Sequence, residues 1–263
     1  MRAFFYTRLR NNSGAMLVEL MLACALALVL IGLLLKIYLG SQQSARIQSS
    51  LNQIQDNAKI AITILSSEIH QAGYIGCAKL TNDFPLFFTR YELTEKNKIK
   101  GDRHSITIRH AAFKSDYLIK DMLSTSILEV KDDIHFKKNN ILIISDCKHA
   151  EIFQIKNIIY SRGIQIITPI SPLHNQFDSR AELARFEVNH FFISRTKRKD
   201  FYGNPISALY VKNLQGETTR LVDGINDLNI QYLMGHAGVS GVKINLNVCS
   251  ARLCKIWHAD VSL

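Results

Sequence analysis

Apolar positions fall into three regimes along the chain. From Ala15 to Leu35 they are continuous, apolar or small, except for one carboxylate, Glu19. A segment of that length spans roughly 30 Å as a helix, the thickness of a bilayer's hydrocarbon core. From Ile47 the apolar or small residues recur at spacings of three and four, at Ile47, Leu51, Ile54, Ala58, Ala61, Leu65, Ile69 and Ala72. That spacing draws one stripe on a helix, with Gln55, Asp56, Lys59 and Ser66 on the opposite side. No proline occurs before Pro85, and Gly73 is a C-terminal stop signal. One continuous helix is expected from about Ala15 to Ala72, on the order of 85 Å long, with Gly32 and Gly40 as local weak points.

Beyond Gly73 the period shortens to that of strands. Short β-like runs lie at 104–110, 141–145, 150–156, 163–169, 186–194, 207–213, 227–234, 241–248 and 256–263, punctuated by Gly, Asn and Asp. Residues 81–101 and 171–185 carry no clear period and are expected to be surface loops. The fold class is α+β, with the second half of one long helix laid on an antiparallel sheet.

Charge and cysteine usage add a compartment. Ahead of the apolar segment, "MRAFFYTRLRNNSG" carries Arg2, Arg8 and Arg10 and no acid. Cationic flanks stay on the cytoplasmic side, so the C-terminal part is expected outside, in the periplasm of a bacterium. Apart from Cys24 in the apolar run, the cysteines are Cys77, Cys147, Cys249 and Cys254. An even number in an oxidising compartment implies two disulfides. Of the three possible pairings, Cys77 with Cys147 and Cys249 with Cys254 is favoured.

Three N-terminal signals fit a basic leader followed by an apolar run. A cleaved secretory peptide needs a short apolar core ending in a small-residue site, yet Ala23-Cys24-Ala25 lies in mid-run. A lipoprotein site before Cys24 fails for the same reason. The third signal, a basic leader, then Gly14, then an apolar segment with a glutamate at its fifth position, resembles the type IV prepilin superfamily. The resemblance implies cleavage by prepilin peptidase between Gly14 and Ala15. It also implies a pairing of Glu19 with the new amine of a neighbouring subunit during assembly. Ala15, where phenylalanine is more usual, and Met16, where threonine is common, depart from the pattern. The departures bear on methylation of residue 15 more than on cleavage.

Three internal stretches narrow the resemblance. "AGYIGC" (72–77), "SDCKHAEIFQI" (145–155) and "LVDGINDLNIQY" (221–232) are similar to landmarks of the PilW-type minor pilins, relatives of the J-type minor pseudopilins of type II secretion. This implies a leader at 1–14, a transmembrane half-helix at 15–35, an amphipathic half-helix at 36–72 and a periplasmic β-rich domain at 73–263. It implies a single-pass inner-membrane protein that enters the pilus and helps prime its assembly, in a tip complex, with a J-type minor pseudopilin of type II secretion as the alternative within the class. The implied partners are other minor pilins, the major pilin, prepilin peptidase, the inner-membrane assembly platform, and the lipid bilayer before assembly.

Chemistry of another kind has little footing. No G-x-S-x-G, H-E-x-x-H or Gly-rich phosphate loop occurs, and no enzyme activity or cofactor is expected. Cys249, Cys254, His258 and His236 form a loose zinc set, set below a small disulfide loop. Asp223 and Asp227 beside Gly224 suggest a turn rather than a calcium loop. The net charge is +10, and "SRTKRKDFYG" (194–203) gathers Arg195, Lys197, Arg198 and Lys199 beside Phe201 and Tyr202. Such a patch can hold DNA phosphates with stacked bases. The chain is therefore also weighed as a DNA- or surface-binding module on a pilin stem, below a solvated hairpin or a patch for an acidic subunit.

Overall fold

A computed structural model describes residues 13–77, 79–88, 91–200, 203–235, 238–251 and 253–263. The chain divides into two compact units, Met1–Asn52 and Gln53–Leu263. One helix, α1 (Ser13–Gln71), runs through the division without a break at Gly32 or Gly40. At 59 residues it is about 90 Å long. The leader arginines Arg2, Arg8 and Arg10 lie outside the described residues.

In the first unit the side chains from Leu17 to Ser49 are exposed. This part of α1 is long and apolar enough to cross a membrane, which suits a single-pass anchor for a large extramembranous domain.

In the second unit α1 buries Ile54, Ala58, Ala61, Leu65 and Ile69. The expected stripe is therefore shortened. Ile47 and Leu51 are 45% and 37% exposed and belong to the first unit. A helical period continues whether or not a domain is there to cover it. Ala58 and Ala61, at the middle of that face, are fully buried. Gly73 ends the helix with φ +75° and donates its N–H to the Arg109 carbonyl at 2.9 Å.

Thirteen strands follow among the described residues of the second unit. They are β1 (Leu86–Phe88), β2 (Ile99–Gly101), β3 (Ser105–Tyr117), β4 (Leu128–Lys131), β5 (Ile141–Ser145), β6 (Ala150–Ser161) and β7 (Ile164–Pro169). The rest are β8 (Glu182–Lys199), β9 (Pro205–Lys212), β10 (Thr218–Asp223), β11 (Ile225–Gly235), β12 (Gly238–Ser250) and β13 (Leu253–Ser262). The first ten make one sheet with the path β10-β9-β8-β5-β6-β7-β4. β3 flanks β8 and carries β2, and β1 joins β6 as the one parallel pair among the described residues. β11, β12 and β13 form a separate antiparallel sheet.

The large core holds the buried face of α1 together with Ile106 and Ile108 of β3, Phe191 of β8, and Leu228, Ile244 and Leu246 of the second sheet. The helix segment thus packs against residues of both sheets, where one sheet was expected. A second core gathers Phe136, Phe153 and Phe177, and a third gathers Ile75, Leu93, Ile143 and Phe186.

The two expected surface loops are corrected. Residues 81–101 contain β1 and β2 and bury Leu93 and Ile99. Residues 171–185 bury Leu173, Phe177 and Ala181 and start β8 at Glu182. Both segments send single side chains into the cores, Leu93 and Ile99 from the first and Leu173, Phe177 and Ala181 from the second. That leaves isolated apolar anchors with no repeat for a periodicity to reveal.

Candidate functional site

The N-terminal end of α1 holds the expected cleavage point. Gly14 and Ala15 lie within the helix, and Glu19 is exposed on it, surrounded in sequence by exposed Leu17, Val18, Leu20 and Met21. No described residue pairs with Glu19. A carboxylate in an apolar helix costs on the order of 2.5–3.5 kcal/mol at the centre of a bilayer, and Glu19 lies near the start of the apolar run.

The cysteines staple two connections. Cys77, just after the helix stop, is joined to Cys147 in the β5–β6 turn, with Cα atoms 5.4 Å apart. Asp146 shapes that turn, its carboxylate accepting the Lys148 and His149 N–H groups at 3.0 Å. Cys249 and Cys254 are joined across the β12–β13 hairpin at a Cα separation of 4.1 Å. Cys24 is free and exposed.

The basic stretch is strand where a loop was the alternative. Arg195, Lys197, Arg198 and Lys199 occupy the exposed end of β8, paired with β9 through Arg195 and Lys199. Phe201 and Tyr202, the proposed stacking residues, lie outside the described residues. Arg198 is tied down: its guanidinium donates to the Asp223 carboxylate at 2.8 Å. Arg220 Nε sits 3.5 Å from the other oxygen of that carboxylate. Asp223 was read as a turn residue, and its role as counter-ion to Arg198 carries no local signal, because the two are brought together only by sheet pairing.

Of these groups, Arg198 and Asp223 line a cleft of about 520 Å³, together with Gln53 and Asn57 of α1 and Cys249 and Cys254 of the β12–β13 hairpin. Asn57 donates to the Asp223 carbonyl at 2.9 Å, and Ser250 donates to Gln53 Oε1 at 2.7 Å. Gly224, at φ +79°, turns the chain from β10 into β11 here. A Cβ on it would come within 2.6 Å of the Cys249 carbonyl oxygen. The "VDG" of the third landmark stretch is thus the crossover between the two sheets.

Among the described residues no group of three or more His, Cys, Asp or Glu is placed to hold a metal ion. Cys249 and Cys254 bond each other, and His258 Nδ1 meets Asn245 Oδ1 at 2.6 Å. His236 lies outside the described residues. Asp227 stands near His104, 3.3 Å from its Nδ1.

A polar contact that periodicity missed lies where α1 meets the large sheet. His110 of β3 is buried, 1% exposed. Its Nε2 faces Glu68 of α1 at 3.3 Å and its Nδ1 faces the Ala111 carbonyl at 2.8 Å. Asn189 of β8 donates to the same Glu68 oxygen at 3.0 Å. Burial opposes a charge on His110, but acceptors at both ring nitrogens and the Glu68 carboxylate outweigh it and hold its pKa above the usual histidine value. Burial likewise opposes ionisation of Glu68, and its bonds from His110 and Asn189 prevail and hold its pKa low.

The chain therefore combines a long N-terminal apolar helix with a largely antiparallel β domain packed on its C-terminal part, the general architecture of type IV pilin-like proteins. Comparison with family models, curated proteins and solved structures finds no match.

Proposed function

We propose that this chain is a minor type IV pilin of the PilW kind, made as a prepilin. In this reading prepilin peptidase cuts after Gly14, and residues 15–35 hold the chain in the inner membrane with its β domain in the periplasm. The chain then joins other minor pilins on the assembly platform, in a complex that primes the pilus and stays at its tip ahead of the major pilin. It acts as a peptidase substrate and a structural partner, without catalysis or cofactor.

One observation carries the reading. A single unbroken helix presents exposed apolar side chains over residues 17–39, save Glu19 and Lys36, and further along buries Ile54, Ala58, Ala61, Leu65 and Ile69 in its own domain. Each exposed leucine forgoes about 1.5–3 kcal/mol that burial would give, so the apolar segment belongs in lipid or among neighbouring helices. Glu19 gives the segment a means of choosing the second environment. A cationic amine at Ala15 of an adjacent subunit would neutralise it inside an apolar bundle.

The test is incorporation into sheared pili of wild type against Glu19→Ala. The variant should accumulate normally in the membrane, while its share in the pilus fraction falls by at least about tenfold, one such pair at about 1.4 kcal/mol per decade. Equal incorporation of both chains overturns the reading.

A further inference from the structure

The five cysteines run in the order Cys24, Cys77, Cys147, Cys249 and Cys254, and both disulfides join neighbours in that order. Neither closed loop contains a cysteine of the other.

The contacts around the first bridge come from residues that precede Cys249. The Gly73 N–H donates to the Arg109 carbonyl at 2.9 Å, the Ala111 N–H to the Tyr74 carbonyl at 2.7 Å, and the Ala150 N–H to the Pro85 carbonyl at 3.1 Å. The β5–β6 hairpin presents Cys147 in its turn, between the paired Ser145 and Ala150. Cys77 Sγ lies 3.4 Å from Ser145 Oγ. The core that holds Ile75, Ile143, Ala150 and Phe186 is built from the same part of the chain. The second bridge needs less still: Cys249 and Cys254 are direct partners in the β12–β13 ladder, 5 residues apart in sequence.

Two effects then favour neighbours as partners. A chain delivered N-terminus first presents Cys147 about 100 residues ahead of Cys249, about 5–20 s earlier at ordinary rates of synthesis. Closure also falls off as roughly the three-halves power of loop length, so Cys254 meets Cys249 on the order of 100-fold more readily than it meets Cys147. Once those two have joined, Cys77 and Cys147 have only each other. Cys24 lies in the part of α1 that is long and apolar enough to cross a membrane, where lipid keeps it from a water-borne oxidant.

We propose that this chain is matured by thiol oxidation alone, with no disulfide isomerisation after it. The co-reactant is a protein that carries a reactive disulfide. One cysteine thiolate of this chain attacks that disulfide, which forms a mixed disulfide and releases one thiol of the oxidant. The second cysteine attacks the mixed disulfide at this chain's own sulfur and releases the other. Each bridge thereby passes two electrons and two protons to one oxidant molecule, which leaves as a dithiol. The inference rests on the proposed function for the compartment only, since the step needs an oxidising space.

The test is the full chain, acid-trapped, alkylated and extracted from membranes of wild-type cells, cells without the periplasmic thiol oxidase, and cells without the disulfide isomerase. Peptide masses read the pairing, and the intact mass reads the N-terminus. Without isomerase, the share of chains with Cys77–Cys147 and Cys249–Cys254 should stay within about twofold of wild type; without oxidase it should fall at least about tenfold. An exported control protein whose native bridges interleave should mispair in the same isomerase-lacking cells. Links from Cys77 or Cys147 to Cys249 or Cys254 in those cells overturn the proposal, as do four free thiols in wild type or full pairing without the oxidase. The N-terminus keeps the two readings apart: both bridges on a chain that begins at Met1 support this proposal and contradict the pilin reading.

Discussion

Glu68 of the helix and His110 of β3 face each other at 3.3 Å, and the His110 side of that contact is 1% exposed. The pair ties the packed end of α1 to the large sheet and makes stability depend on pH. His110 is raised from its ordinary value of 6.5, so its contribution is complete below that value and fades as pH rises through its folded-state pKa. Glu68 is lowered from 4.5, so its contribution is complete above that value and fades as pH falls through its folded-state pKa. Unfolding free energy from this pair should therefore be greatest between 4.5 and 6.5. Glu68→Gln should flatten the alkaline decline seen in urea midpoints measured across pH. An unaltered decline would mean that His110 is not charged by this contact.

Leu65 is fully buried on α1, while Ile60 on the same segment is 49% exposed. Leu65→Ala should cost about 2–5 kcal/mol, as a large-to-small change in a packed core, whereas Ile60→Ala should cost much less. Equal losses in denaturant titrations would contradict the face assigned to the helix.

The two disulfides close chains of very different length, 70 and 5 residues apart in sequence. On loop-closure entropy alone, loss of Cys77–Cys147 should cost about 4 kcal/mol and loss of Cys249–Cys254 about 2 kcal/mol. Cys147→Ser and Cys254→Ser, compared by urea midpoint, check the order.

At the basic end of β8, Arg198 is committed to Asp223, which leaves Arg195, Lys197 and Lys199 without a carboxylate partner among the described residues. Three phosphate contacts would give a salt slope of only about −2.7 in log–log binding to duplex DNA. Replacing the three with Ala should leave DNA retention at physiological salt unchanged. A clear loss would make this strand end a nucleic-acid contact.

The long strands were legible in the sequence because their cores repeat. The run at 141–145 reappears as β5, buried at every position, and the alternation at 241–248 lies inside β12. β1, β2 and β4 escaped because three or four residues are too few to establish a period, and β10 because it opens on the polar Thr218, Thr219 and Arg220 and has only Leu221 and Val222 as apolar positions. The helix was visible at full length, but the position where its domain begins was not, since Ile47 and Leu51 continue the same stripe. Among the candidate site residues, Glu19 stood out because a lone charge in an apolar run breaks a pattern. Asp223 and His110 did not, because their partners are 25 and 42 residues away and only the fold brings them close.

The most direct measurement is the intact mass of the membrane-extracted chain from cells with and without prepilin peptidase. A prepilin should begin at Ala15 only when the peptidase is present, with any methyl group visible in the same spectrum. A chain that begins at Met1 in both would contradict the pilin reading and leave Glu19 an acid at the edge of an ordinary membrane anchor.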